Sequence, residues 1–137
     1  MTFIKLYLVS LLVFAGLDFV WLGFIAKNIY KDQIGFLMTD TVRWGAAVAF
    51  YLLYLFGLTL FATLPSLRLN SLSMALFYGA VFGLVCYATY DLTNLATIKG
   101  WPVKIVCYDL LWGAFISAAT TGITYWIATH WKTHFSI

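Results

Sequence analysis

Three aspartates sit among residues that otherwise avoid charge. Asp18 and Asp109 interrupt long apolar runs, and Asp91 closes another. An ionisable side chain at the centre of a membrane helix costs roughly 2.5–3.5 kcal/mol on insertion scales, so it marks a functional site by default. A carboxyl placed this way can exchange a proton, bind a cation or hold a polar ligand. Burial and a like charge nearby both favour the protonated form. At least one of the three is therefore expected to keep its proton at neutral pH.

Helical spacing gathers partners around each acid. Trp21 lies one turn beyond Asp18. Gly79, Gly83, Tyr87, Asp91 and Asn94 follow one another at four, four, four and three residues, which places them on one stripe of a helix. Tyr90 precedes Asp91, and Trp112 lies three residues past Asp109. Asp109, Gly113, Ser117, Thr120 and Thr124 form a polar track on another helix face. Tyr51 and Tyr54 are the polar groups offered by the run that carries no acid. The candidate binding set is therefore Asp18, Trp21, Tyr87, Tyr90, Asp91, Asn94, Asp109 and Trp112. Structural readings compete with the functional ones. Gly79 and Gly83 form a Gly-x-x-x-Gly that lets two helix backbones approach. Asn94 can serve as a helix C-cap, and Ser117, Thr120 and Thr124 can bond to their own backbone four residues back. The acids themselves can act as interhelical glue, but such hydrogen bonds average only about 0.6 kcal/mol, small beside the cost of inserting three carboxyls.

The elements that must position these residues follow from composition. Of 137 residues, 64% are hydrophobic and 9% charged, with 8 basic and 5 acidic side chains. A soluble domain carries roughly a quarter charged residues, so a soluble enzyme, a disordered tail and a nucleic-acid binder are excluded. Four runs are long enough to cross a bilayer, which takes about 20 apolar residues. Barrel strands would be half that length and alternate apolar with polar. The expectation is an all-α polytopic membrane protein: one domain over residues 1–137, with four helices near 4–26, 44–66, 70–92 and 102–129 in an antiparallel bundle. The first run has a basic residue ahead of it, as a signal peptide does. With Asp18 and Trp21 where the cleavage site belongs, it reads as a retained helix. The connection KNIYKDQIGFLMTDTVR, from Lys27 to Arg43, is too polar to span and reads as a longer loop or a short interfacial helix. Pro102 suits the first turn of the last helix.

Chain direction alone sets the acids at one level. Asp18 precedes Lys27 by nine residues, Asp91 precedes Lys99 by eight, and Asp109 follows Trp101 by eight. With alternating helix directions, all three lie on one side of the midplane, roughly 10–13 Å below the same face at about 1.5 Å per residue. Lys27, Lys31, Arg43, Lys99 and Lys104 lie towards that face, against Lys5, Arg68 and Lys132 at the other. The positive-inside rule then places both termini outside. Lys104, about one and a half turns from Asp109, is the nearest cation to the acids.

The other reactive side chains carry less. Trp44, Trp101, Trp126 and Trp131 fall near helix ends, where indoles favour the headgroup zone. Cys86 and Cys107 read as small apolar fillers. His130 and His134 are four apart but form an incomplete metal site. Neither a metal nor another cofactor is expected, and the lipid bilayer is the certain partner. Asp18-Phe-Val-Trp21 echoes Asp109-Leu-Leu-Trp112. Inverted repeats build many transporters, although a match this short also arises by chance in an aromatic-rich chain.

The stretches LDFVWLGFIAKNIYKDQIG (residues 17–35) and YATYDLTNLATIKGWPVKIVCYDLLWG (residues 87–113) resemble a family of small bacterial inner-membrane proteins, domain of unknown function 2177. The shared pattern comprises Asp18 to Trp21, the YDLTN block at Tyr90 to Asn94, and Asp109 to Gly113. The resemblance covers nearly the whole chain and implies a multi-pass protein of the bacterial inner membrane. It brings no established activity.

Three functions then compete. The first is proton- or cation-coupled binding or transport of a small solute through the Asp cluster, with a homodimer enclosing the pathway. The second is a membrane-embedded enzyme acting on a lipid or polyprenoid head group, with carboxyls and Asn94 holding Mg²⁺ or one carboxyl acting as general acid or base. Against it stand the lack of a phosphate-gripping arginine at that level and of a spaced Asp-rich motif. The third is a structural or accessory subunit with the acids as internal glue.

Overall fold

The computed structural model describes residues 2–25, 28–38, 41 and 43–131, with Ile25 by its backbone only. All regular structure among these residues is helical. Helix α1 spans Thr2–Val20 and runs into a π turn at Trp21–Ile25. A short helix α2, Ile29–Ile34, follows and ends in a 3₁₀ turn at Gly35–Leu37. Helix α3, Trp44–Leu58, passes through a second π turn at Thr59–Thr63 into α4, Leu64–Arg68. The long helices α5, Leu72–Thr97, and α6, Val103–His130, complete the chain. Four helical stretches are long and apolar enough to cross a membrane: Thr2–Phe24, Trp44–Arg68, Leu72–Thr97 and Val103–His130.

Each span shows the bundle a narrow face. On α1 the buried residues are Leu6, Ser10, Phe14 and Asp18, a spacing of four that keeps them on one stripe. The other faces expose Ile4, Leu8, Leu12 and Phe19, as suits a helix whose surroundings are hydrocarbon. Helix α6 is the centre. Ile105, Asp109, Gly113, Ser117, Thr120, Thr124 and Ala128 are all buried on it, and it packs against α1, α2, α4 and, most extensively, α5.

Glycine sets the closeness of α5 and α6. A Cβ on Gly79 would lie 2.7 Å from the Ser117 carbonyl oxygen and 3.0 Å from the Ala118 Cα. A Cβ on Gly83 would run into the Gly113 carbonyl and the Ser117 side chain, and one on Gly113 into the Tyr87 ring. The packing reading of the Gly-x-x-x-Gly stripe is thus the observed one.

The ends of the elements have local causes. Pro65 has no N–H to donate, and just before it the Leu64 N–H reaches back five residues to the Thr59 carbonyl, making a π turn. Ser71 caps α5 by accepting from the Met74 N–H at 3.2 Å, after Asn70 turns the chain at φ +51°. Helix α5 does not stop near Asp91, as a reading that ends at a charge expects. Asp91 faces inward, so the helix carries on one and a half turns to Thr97, and the chain reverses at Gly100 with φ +78°. Helix α6 begins at Val103, with Pro102 as its N-cap.

Candidate functional site

The face of α1 that buries Asp18, the Tyr87–Asp91 stripe of α5 and the first turns of α6 meet at one end of the bundle. A cavity of about 490 Å³ opens there. Asp18, Asp91 and Asp109 all line it, together with Trp21, Tyr87, Tyr90 and Trp112. Seven of the eight residues singled out by spacing therefore share one cavity. The exception is Asn94. It lies within α5 rather than capping it, and its amide interacts with the Tyr90 hydroxyl. The C-cap reading fails because the helix extends beyond it.

The three carboxyls are held differently. Tyr51 on α3 donates its hydroxyl proton to Asp18 Oδ2. Tyr30 on α2 donates to Asp109 Oδ1, while its own oxygen accepts from the Trp21 indole Nε1 at 3.2 Å. Burial pushes the Tyr30 phenol far above its ordinary range, and the hydrogen bond and charge of Asp109 add to this, so Tyr30 stays a donor. Asp91 has no such partner. It is 0% exposed, its carboxyl lies beside that of Asp109 and the Trp101 indole, and among the described residues no hydroxyl or N–H is hydrogen-bonded to either of its oxygens. A buried polar group left unpaired costs about 1–3 kcal/mol, more when charged.

Charge on the walls runs one way. The described lining residues include three acids and no Lys or Arg. Lys104, the cation closest in sequence, sits with its Nζ 6.0 Å from the centre of the Tyr108 ring and is not part of the wall. Lys27 and Lys132 lie outside the described residues. Among those described, no group of three His, Cys, Asp or Glu side chains is close enough to hold a metal ion. Asp91 and Asp109 are neighbours, but Asp18 does not join them in a three-ligand group. The His130 ring stacks on Trp126 at 4.1 Å, and His134 lies outside the described residues.

Spacing along single helices misses Tyr30, Trp101 and Cys86. Tyr30 belongs to the polar connection, and its contact with Asp109 spans most of the chain, so no local pattern announces it. Trp101 reads from sequence as an interfacial indole like Trp44. Trp44 is 70% exposed and Trp101 only 7%, because Ile29, Tyr30 and Ile34 of the α2 helix cover it together with Ile105 and Val106. Tyr90 meets it edge to face at 5.8 Å. Cys86 is half-buried on the cavity wall.

The polar track on α6 also departs from expectation. Ser117 and Thr124 do not turn back on their own backbone. Ser117 bonds to the Tyr54 hydroxyl and Thr124 to Ser10 at 3.2 Å, tying α6 to α3 and to α1. Thr120 Oγ1 has no partner among the described residues. Thr121, one residue on, is the side chain that bonds four residues back, to the Ser117 carbonyl at 2.8 Å.

No curated protein and no solved structure matches the chain. A family described as "Predicted membrane protein (DUF2177)" matches residues 3–126. With four spans in place and the match covering nearly the whole chain, the protein belongs to that membrane-protein family.

Proposed function

We propose that this integral membrane protein uses its Asp-lined cavity to bind a proton or a cation and to couple that binding to the movement of a small solute. The observation that carries the reading is Asp91. It is a fully buried carboxyl that no hydroxyl or N–H of the described residues satisfies, beside Asp109 and on the wall of a cavity large enough for a molecule. Pockets for small ligands span roughly 300–1,000 Å³. Asp18 and Asp109 are each fixed by a phenol. Asp91 is the one of the three with no phenol donor, and with the Asp109 carboxyl beside it it is left for a proton or a cation to satisfy. Placement in a bacterial inner membrane with both termini outside, and pairing of two copies around a pathway, belong to the same proposal.

The glue reading has its own support. The Tyr51–Asp18 and Tyr30–Asp109 bonds join separate helices. It accounts for Asp18 and Asp109, whereas Asp91 is held by no phenol and meets only another carboxyl, that of Asp109, and the Trp101 indole.

The test is reconstitution in vesicles under a pH gradient, with an internal pH dye. The wild type is expected to move protons when a permeant solute is offered, and Asp91→Asn to lose at least nine-tenths of that flux. Equal flux from both proteins, or from empty vesicles, contradicts the proposal.

A further inference from the structure

The lining of the cavity narrows the class of ligand. Seven of the thirteen described lining residues are aromatic, contributed by the first span, α2, α3, α5 and α6. The carboxyls add negative charge, and no Lys or Arg among the lining residues offsets it. An aromatic ring attracts a cation over its face when the ring centre lies within about 6 Å, and the attraction grows as water is excluded. A small inorganic cation suits the space poorly, because hard ions demand several oxygens at short range and, among the described residues, no three acids come together to supply them. An anion has no positive partner among the described lining residues. A neutral apolar ligand would leave Asp91 without a partner.

We infer that the cavity takes a free organic ammonium ion, with Asp91 as its counter-charge and the rings of Trp112, Tyr87 and Tyr90 as its walls. A lipid head group carries the same ammonium but brings a phosphate as well. The lining residues described offer that phosphate no basic side chain, and this favours the free solute. The inference rests on the cation-binding reading of the site and names its ligand.

The experiment is calorimetric titration of the purified full chain in a non-ionic detergent, at constant ionic strength, with three probes. These are choline, its neutral carbon isostere dimethylbutanol, and glycerophosphocholine. Choline is expected to bind saturably, with the isostere and glycerophosphocholine each at least tenfold weaker. This comparison uses wild-type protein only and does not depend on a variant folding. Asp91→Asn should weaken choline binding at least tenfold, whereas Asp32→Asn, an exposed acid away from the cavity, should leave it unchanged. No saturable choline binding, or equal binding of the isostere, overturns the inference. Equal or tighter binding of glycerophosphocholine overturns the assignment to a free solute in favour of a lipid head group. If Asp91-dependent proton flux persists without choline binding, the ligand class falls and the proton-coupled reading stands.

Discussion

The indoles of Trp21 and Trp112 lie face to face, with ring centres 4.5 Å apart and planes within 11°. Each stands one turn beyond a buried aspartate, Asp18 on one helix and Asp109 on the other. The short Asp-x-x-Trp echo between the first and last spans is thus a contact in space. The two copies bring their carboxyls and indoles to one cavity.

That stack is expected to be measurable. Aromatic pairs contribute about 0.5–1.5 kcal/mol beyond area burial. A double-mutant cycle of Trp21→Leu and Trp112→Leu, read by thermal or denaturant unfolding in detergent, should give a coupling energy in that range. Coupling near zero would mean that the indoles merely lie side by side.

The α5–α6 contact predicts a sharp difference among glycines. Gly83→Ala is expected to destabilise by about 1–3 kcal/mol, the usual cost of overpacking, because its methyl meets the Gly113 backbone. Gly16→Ala has nothing within 4 Å and should stabilise by about 0.4–1 kcal/mol. Unfolding midpoints of the two variants decide it, and similar values for both would contradict the packing account.

Tyr30 fixes α2 over the cavity. Tyr30→Phe removes a hydrogen bond to a carboxylate, worth about 1.5–3 kcal/mol, and should raise deuterium uptake in residues 29–34 while the four spans stay protected. Because its phenol is pushed upward in the folded protein, the neutral form is the one folding favours. That stabilisation is complete below the ordinary phenol pKa of about 10. It is lost only as pH rises from there towards the folded value. Protection of α2, corrected for intrinsic exchange, should therefore be level from about pH 6 to 9 and fall in alkali. A fall between pH 6 and 9 would exclude Tyr30 as the controlling group.

The interhelical polar bonds on α6 are expected to be modest. Ser117→Ala breaks the bond to Tyr54 and should cost about 0.6 kcal/mol, with about 1.7 kcal/mol as the upper bound for such bonds in membranes. A cost of several kcal/mol, measured by unfolding in detergent, would show that Ser117 does more than tether two helices.

The spans were legible because hydrocarbon imposes a simple rule. Backbone polar groups must pair within the segment, and the side chains must be apolar. The aspartates were legible for the converse reason, since each one violates that rule. Periodicity then placed Tyr87 and Asp91 on one stripe, and chain direction placed the acids at one level. What the sequence hid depends on contacts distant along the chain. Nothing near Tyr30 points to Asp109, and nothing near Trp101 distinguishes it from the exposed Trp44. The end of α5 was misplaced because a charge was read as a boundary, although an inward-facing charge does not interrupt a helix. The hydroxyls of Ser117 and Thr124 were read as bonded locally, because their partners on other spans follow only from the packing.

The central claim is that Asp91, which unlike Asp18 and Asp109 is held by no phenol, exchanges a proton within the cavity. Infrared difference spectroscopy of the reconstituted protein, stepped in pH, observes the carbonyl stretch of a protonated carboxyl directly. A band that comes and goes with pH in the wild type, persists in Asp32→Asn and vanishes in Asp91→Asn is the predicted result. A band unchanged by Asp91→Asn, or no pH-dependent carboxyl band at all, would contradict the account.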